Sequence, residues 1–222
     1  MRVERLQVLV PVNELERAKG RLAEVLDPAA RAALALATVT TVVGAIREAG
    51  HEPVLLTRDA RVRSAFEGLA AMIDEDPEAR GLNGQLESAI ARVGADGDLG
   101  ELLILHADLP LATAQAIRDL VDEAPPAPSV TLVRSGDGGT NAMLLRPPGR
   151  FALAYGANSF ARHREAAVVA GMAVAEVQSP ALALDVDTPA DIERLMALPA
   201  GRASAAGKVL TGDGATSPAA QQ

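Results

Sequence analysis

Apolar positions along this chain fall into two kinds of stretch. Short continuous runs of mostly aliphatic residues occur at 6–12, 54–57, 70–73, 102–105, 129–134, 142–145, 174–177 and 182–186. Runs of this length, bounded by turn residues, predict strands buried on both faces. Between them the pattern predicts helices. Asp27-Pro28 supplies a cap and then a proline at the first helical position. That helix runs to Ala49, where Gly50 stops it, and its Leu34, Ala37, Val39, Val42, Val43 and Ile46 are expected in the core. Further helices are predicted over 58–66, 86–93, 113–123 and 188–198, with another starting inside 156–164. Gly94 to Gly100 reads as a turn. Strands alternating with helices predict an α/β fold. The organising stretch is the run at 102–105, which continues as His106-Ala107-Asp108-Leu109-Pro110-Leu111.

Composition narrows the class. Hydrophobic residues make up 49% of 222, enough for one α/β domain with a real core. Aromatics are 2% with no Trp, which argues against stacking platforms for single-stranded nucleic acid. The net charge of -8 disfavours DNA, RNA and anionic membranes as partners. With no Cys, disulfides, thiolate catalysis and Cys-ligated zinc are excluded. The charged start Met1-Arg2-Val3-Glu4-Arg5 lacks a signal-peptide core, and no apolar run approaches the length of a membrane span. A cytoplasmic location is expected. Residues 199–222 are rich in Ala, Gly, Ser, Thr and Gln. They read as a flexible tail behind a single domain at 1–198.

Candidate chemistry gathers at the strand ends. A buried parallel strand delivers its C-terminal end to the crevice where α/β proteins bind ligands. That places Asp108 at the mouth of a site, with Pro110 turning the chain out of the sheet. The plainer alternative is that Asp108 caps the helix near Thr113. After the first strand, Arg17, Lys19 and Arg21 crowd a loop where phosphates are often held, although the Walker A spacing is absent. Their alternative is a solvated surface. Asn83, in Gly81-Leu82-Asn83-Gly84-Gln85-Leu86, is either an N-cap or a donor–acceptor pair for a nucleotide base. Asp137-Gly138-Gly139-Thr140-Asn141 is a hairpin turn or part of a site. The 156–164 segment puts Arg162, His163 and Arg164 close to a helix start, which makes better sense if an anion binds there. Late in the chain, Asp185-Val186-Asp187 puts two carboxylates on one face of an extended segment. Asp187 is either the cap of the next helix or a second metal ligand beside Asp108. Two hard carboxylates without soft ligands suit magnesium, and magnesium with a Lys/Arg loop suits a nucleoside triphosphate.

The set PVNELERAKGRL, GLNGQL, HADLPL, DGGTNAMLL, GANSFARH and DVDTPAD resembles the phospholactate/phosphoenolpyruvate guanylyltransferases of coenzyme F-420 biosynthesis, over about residues 6–198. The resemblance implies the GT-A-like, Rossmann-like nucleotidyltransferase fold, with a mixed, mostly parallel sheet flanked by helices. It implies transfer of GMP from GTP to a phosphorylated three-carbon acid, with release of diphosphate. Phosphoenolpyruvate is the acid expected; 2-phospho-L-lactate and 3-phosphoglycerate are the alternatives. By motif, Thr140, Gly156 and Ser159 hold the acid, Asp108 and Asp187 bind magnesium, Lys19 and Arg21 contact the GTP phosphates, and Asn83 lies near the nucleoside. Asp108 and Lys19 are the residues expected to carry catalysis. Gly20 departs from the family's more usual Ser, which puts a hydroxyl contact there in doubt. The product passes to a downstream deazaflavin side-chain transferase, and a homodimer is kept among the partner arrangements. Two rivals stand beside this reading: a nucleotidyltransferase for a sugar phosphate, which lacks its usual glycine-rich start here, and a non-catalytic nucleotide-binding module.

Overall fold

The aliphatic runs form one seven-stranded sheet in the computed structural model, which describes residues 6–94 and 99–212. The order of elements is β1 (Leu6–Pro11), a 3-10 turn (Gly20–Leu22), α1 (Pro28–Glu48), β2 (Pro53–Leu56), α2 (Ala60–Ala65), β3 (Ala71–Ile73), α3 (Gly81–Val93), β4 (Glu101–Leu105), α4 (Ala114–Asp122), β5 (Ser129–Arg134), β6 (Thr140–Arg146), α5 (Ser159–Val169), β7 (Ala173–Glu176), α6 (Pro180–Ala183), α7 (Pro189–Ala197), α8 (Pro199–Ala203) and α9 (Ala205–Thr211). The strands lie in the order β3-β2-β1-β4-β6-β5-β7. All pairs are parallel except those made by β6, which runs antiparallel to β4 and β5.

That order places the site. The chain leaves β1 towards β2 and β3, then returns to lay β4 on the other side of β1. The crevice beyond the C-terminal ends of β1 and β4 is the topological switch point of the sheet. Alternation along β4 sends Leu103 and Leu105 into one core, with α1 and α4, and Leu102 and Ile104 into the other, with Leu86 of α3 and Phe160 of α5. Both faces are therefore apolar, which is why β4 reads as a continuous run.

Three expectations change. Residues 182–186 are not a strand: Pro180–Ala183 is a short helix behind Ser179, and extended, unpaired chain follows to Thr188. An aliphatic run of that length does not distinguish strand from short helix. The helix predicted at 86–93 starts at Gly81; Gly81 and Gly84, poor helix formers, obscure its first turn. The segment after Pro199 is folded as far as residue 212, as α8 and α9. Residues 213–222 of the expected tail, 95–98 of the expected turn and the charged start at 1–5 lie outside the described residues.

α9 also accounts for the apolar composition of α1. α1 is a 21-residue helix whose most apolar 18 residues have a mean hydropathy of 1.7, long and apolar enough in composition to cross a membrane. It is a core helix here. Val39, Val42, Val43 and Ile46 pack on the sheet, while Leu34 joins Leu22, Val186, Leu195 and Ala206 of α9 in a separate cluster. A helix covered on two sides is apolar nearly all round. α8 and α9 approach each other so closely that a methyl at Gly207 would overlap the Gly201 carbonyl. Overpacking of this kind costs about 1–3 kcal/mol. Gly207→Ala is expected to lower the unfolding midpoint by several degrees in a calorimetric scan, and an unchanged midpoint would show that α9 docks loosely.

Candidate active site

The loop after β1 turns back on itself at Lys19, whose φ of 56° is left-handed. Few non-glycine residues adopt that conformation without support from their surroundings. Here the turn carries the side chain inward, where it is only 5% exposed. Lys19 Nζ lies 3.0 Å from Asp108 Oδ2 and 3.0 Å from Asp187 Oδ1. Arg21 reaches the same carboxylate from outside, with Nη2 3.0 Å from Asp187 Oδ2, and is 64% exposed. The solvated-surface alternative therefore fails for Lys19 and describes most of Arg21.

The capping alternatives fail for both aspartates. Thr113 caps α4 itself, accepting from Ala116 N, and Thr188 caps α7 in a reciprocal box with Asp191. Asp108 and Asp187 are left free to meet Lys19. Asp185 joins them: one oxygen from each of Asp108, Asp185 and Asp187 lies within 4.8 Å of the other two. Asp108 Oδ1 is buried with no hydrogen-bond partner among the described residues. Three hard oxygen donors with a buried lone pair to spare fit a divalent cation, so these residues could hold a metal.

The electrostatics follow from this crowding. Burial would depress the Lys19 ammonium, but Asp108 and Asp187 outweigh it and raise its pKa. Burial pushes the Asp108 carboxyl up, and Lys19 and His106 pull it below the usual range. Asp185 stands beside two other carboxylates. Burial, then repulsion from Asp108 and Asp187, pushes it up to about 6.

The cleft around this cluster is about 520 Å³ in volume and is lined by Pro11, Asn13, Lys19, Gly20, His106 and Asp108, among others. A second hollow of about 500 Å³ shares Pro11, Asn13, Arg17 and Leu82 with it and extends to Glu75 and Gln85. A third of about 300 Å³ shares Arg21 and Asp187 and reaches Asp185 and Arg194.

Thr140 opens β6. Because β6 is antiparallel to β4, Thr140 sits beside the C-terminal end of β4, where His106 N donates to Asn141 O at 2.9 Å. Gly156, at a φ of 116°, turns the chain into α5 and accepts from Ser159 N. Ser159 Oγ then lies 3.3 Å from Thr140 Oγ1. Asn158 precedes α5 without a side-chain cap bond. The three residues expected to hold the acid are thus brought together. Asn83 is neither an N-cap nor a free amide. It sits inside α3, accepts from Tyr155 N at 2.7 Å and donates to Tyr155 O at 3.2 Å.

Two features escaped the sequence reading. Asp185 was visible only as the partner of Asp187 in an alternating pair. The bond from His163 Nδ1 to Thr140 Oγ1, 3.0 Å across a buried gap, had no local sign beyond the four-residue spacing of Ser159 and His163, which puts them on one face of α5.

Carboxylates at the switch point of a doubly wound sheet, a buried lysine bridging them and adjoining hollows define a nucleotide-handling α/β enzyme. The fold agrees: a nucleotidyl transferase from Methanothermobacter thermautotroptrophicus superposes with a TM-score of 0.62 at 17% identity, covering 86% of this chain and 95% of that one. The chain belongs to the family described as "Guanylyl transferase CofC like", whose profile matches residues 6–206. It is an enzyme of the nucleotidyltransferase type. The phosphoenolpyruvate guanylyltransferase of Rubrobacter xylanophilus is 39% identical over 190 residues, which is 85% of this chain and 92% of that protein. The 2-phospho-L-lactate guanylyltransferase of Haloterrigena turkmenica is 36% identical over 205 residues, 86% of this chain and 84% of that protein.

Proposed function

We propose that this chain transfers GMP from GTP to the phosphate of phosphoenolpyruvate, giving enolpyruvoyl-2-diphospho-5'-guanosine and diphosphate for coenzyme F-420 biosynthesis. The observation that carries this is Lys19 held between Asp108 and Asp187 at the switch point, in a chain matched by its family over residues 6–206. A phosphate oxygen of the acid attacks the α-phosphorus of GTP as the bond to the β-phosphate oxygen breaks. That oxygen is anionic at neutral pH, so no general base is required. Catalysis is in-line positioning plus neutralisation of the leaving diphosphate.

Asp108 and Asp187, with Asp185 in reach, would hold magnesium, which would supply charge stabilisation to the phosphoryl transfer. Lys19 and Arg21 bind the triphosphate from the β1 loop. Asn83 is assigned to the nucleoside side by its motif, although both of its amide atoms engage the backbone of Tyr155. Thr140, Gly156 and Ser159 hold the end of the acid remote from its reacting phosphate, namely its carboxylate. The product is a reactive phosphoanhydride, suited to direct hand-off to a transferase that takes the phosphate carrying the enolpyruvyl group and releases GMP.

The test is diphosphate release from GTP and magnesium with phosphoenolpyruvate, 2-phospho-L-lactate and 3-phosphoglycerate in parallel. Products are identified by mass spectrometry, with the downstream transferase present as a trap. Release with phosphoenolpyruvate and GTP, absent with ATP, is expected. Release with 2-phospho-L-lactate alone moves the assignment to that acid. No release with any acid, from folded protein that binds GTP, overturns the reading.

A further inference from the structure

We propose that His163 is a positioning residue that makes the Thr140–Ser159 hydroxyl pair a net hydrogen-bond donor towards the carboxylate of the acid substrate. The inference rests on the reading that Thr140 and Ser159 hold that acid.

His163 is fully buried. Its Nε2 accepts from Ala154 N at 2.9 Å, so Nε2 bears the lone pair. Burial, and then the neighbouring Arg162, hold the ring neutral by pushing its pKa down to about 4. A neutral ring with its lone pair on Nε2 must carry its hydrogen on Nδ1. Nδ1 therefore donates to Thr140 Oγ1 across 3.0 Å.

The consequence is a matter of counting hydrogens. The contacts His163–Thr140 and Thr140–Ser159, at 3.0 and 3.3 Å, consume one hydrogen each. Nδ1–H and the two hydroxyls supply three. One O–H is left over, on Thr140 or Ser159 according to which donates to the other, and it is free to meet an anion. In the opposite tautomer the same two contacts have only two hydrogens, and the pair would face the ligand with lone pairs alone. A carboxylate needs donors. The backbone N–H of Ala154 thus selects whether the hydroxyl pair has a hydrogen to offer or lone pairs alone.

The segment carrying Ala154 is itself fixed. Asn83 clasps the next residue, Tyr155, at both N and O, and the Tyr155 ring packs edge-on against the His163 imidazole with centroids 4.7 Å apart.

The experiment has a kinetic arm and a spectroscopic arm. His163→Asn keeps an N–H within reach of Thr140; His163→Phe keeps the shape and removes the donor. His163→Phe leaves the pair one spare O–H but no longer fixes which way Thr140 points, so KM for phosphoenolpyruvate is expected to rise about tenfold, with KM for GTP unchanged, and His163→Asn is expected to recover most of that loss. In parallel, the long-range ¹H–¹⁵N spectrum of ¹⁵N-histidine-labelled wild-type protein is expected to show His163 protonated on Nδ1, with that resonance shifting on addition of phosphoenolpyruvate and not of GTP alone. A His163 ring protonated on Nε2, no shift with phosphoenolpyruvate, or equal losses in both KM values and in both variants would overturn the proposal. If His163→Phe does not fold, the Asn variant and the spectrum decide it. If wild type releases no diphosphate with any acid, the assigned reaction fails, while the spectrum still tests the tautomer.

Discussion

Asp108→Asn is expected to lower kcat for diphosphate release by about 10³-fold, roughly 4 kcal/mol of transition-state stabilisation, while the unfolding midpoint moves by no more than a few degrees. Asp108 caps no helix, and its two oxygens serve only the cluster: Oδ2 meets Lys19 and Oδ1 has no partner among the described residues. The amide keeps the shape and an acceptor for Lys19 but removes the charge a divalent cation needs. The loss therefore belongs to the reaction rather than to the fold. Steady-state rates beside a thermal scan of the same preparation separate the two. Near-wild-type turnover in a folded variant would remove Asp108 from the mechanism.

Lys19→Met should move two observables in opposite directions. Turnover falls by about 10²-fold or more, because a positive charge aimed at the triphosphate is lost. Affinity for magnesium in the absence of nucleotide rises, by about tenfold, because the ammonium that neutralised Asp108 and Asp187 at 3.0 Å each no longer competes for those oxygens. Without magnesium the variant is also less stable, since three carboxylates then face one another without a cation. Magnesium-dependent unfolding midpoints for both proteins give the affinities, and rates give the turnover. A variant that binds magnesium no more tightly than wild type would show that the ammonium and the metal occupy different places, and the metal assignment would need other ligands.

Legibility in the sequence followed the range of the interactions. β4 was readable because both of its faces are buried, which leaves an unbroken aliphatic run. The start of α1 was readable because Asp27 and Pro28 act on the adjacent turn; Asp27 does accept from Ala30 N. Asp108 was placed correctly at a strand end, but its partner lies 89 residues away and Asp187 is 168 residues from Lys19. No local pattern encodes that triangle; strand-end placement and donor chemistry suggested the group, and the family motifs gathered its members. The same limit hid the role of Asn83. Its position near a helix start suggested a cap, whereas the structure spends both ends of its amide on a residue 72 positions away. The misread stretches are those where local signals conflict with packing. Residues 182–186 are aliphatic because Leu182 and Val186 enter two different clusters, not because they pair in the sheet. Residues 199–212 are small and polar in composition, yet small residues are what allow α8 and α9 to pack so closely.

The cover that α9 lays over α1 has a colloidal consequence. α1 carries enough aliphatic surface to pass for a membrane segment, and a helix of that kind exposed to water adheres to itself, to chaperones and to lipid. By seating Ala206 against the cluster around Leu34, the short C-terminal helix keeps that surface out of solution. What the sequence presents as an appendage is insulation: its first failure would show as turbidity and hydrophobic-dye uptake, in a protein whose catalytic cleft is still intact.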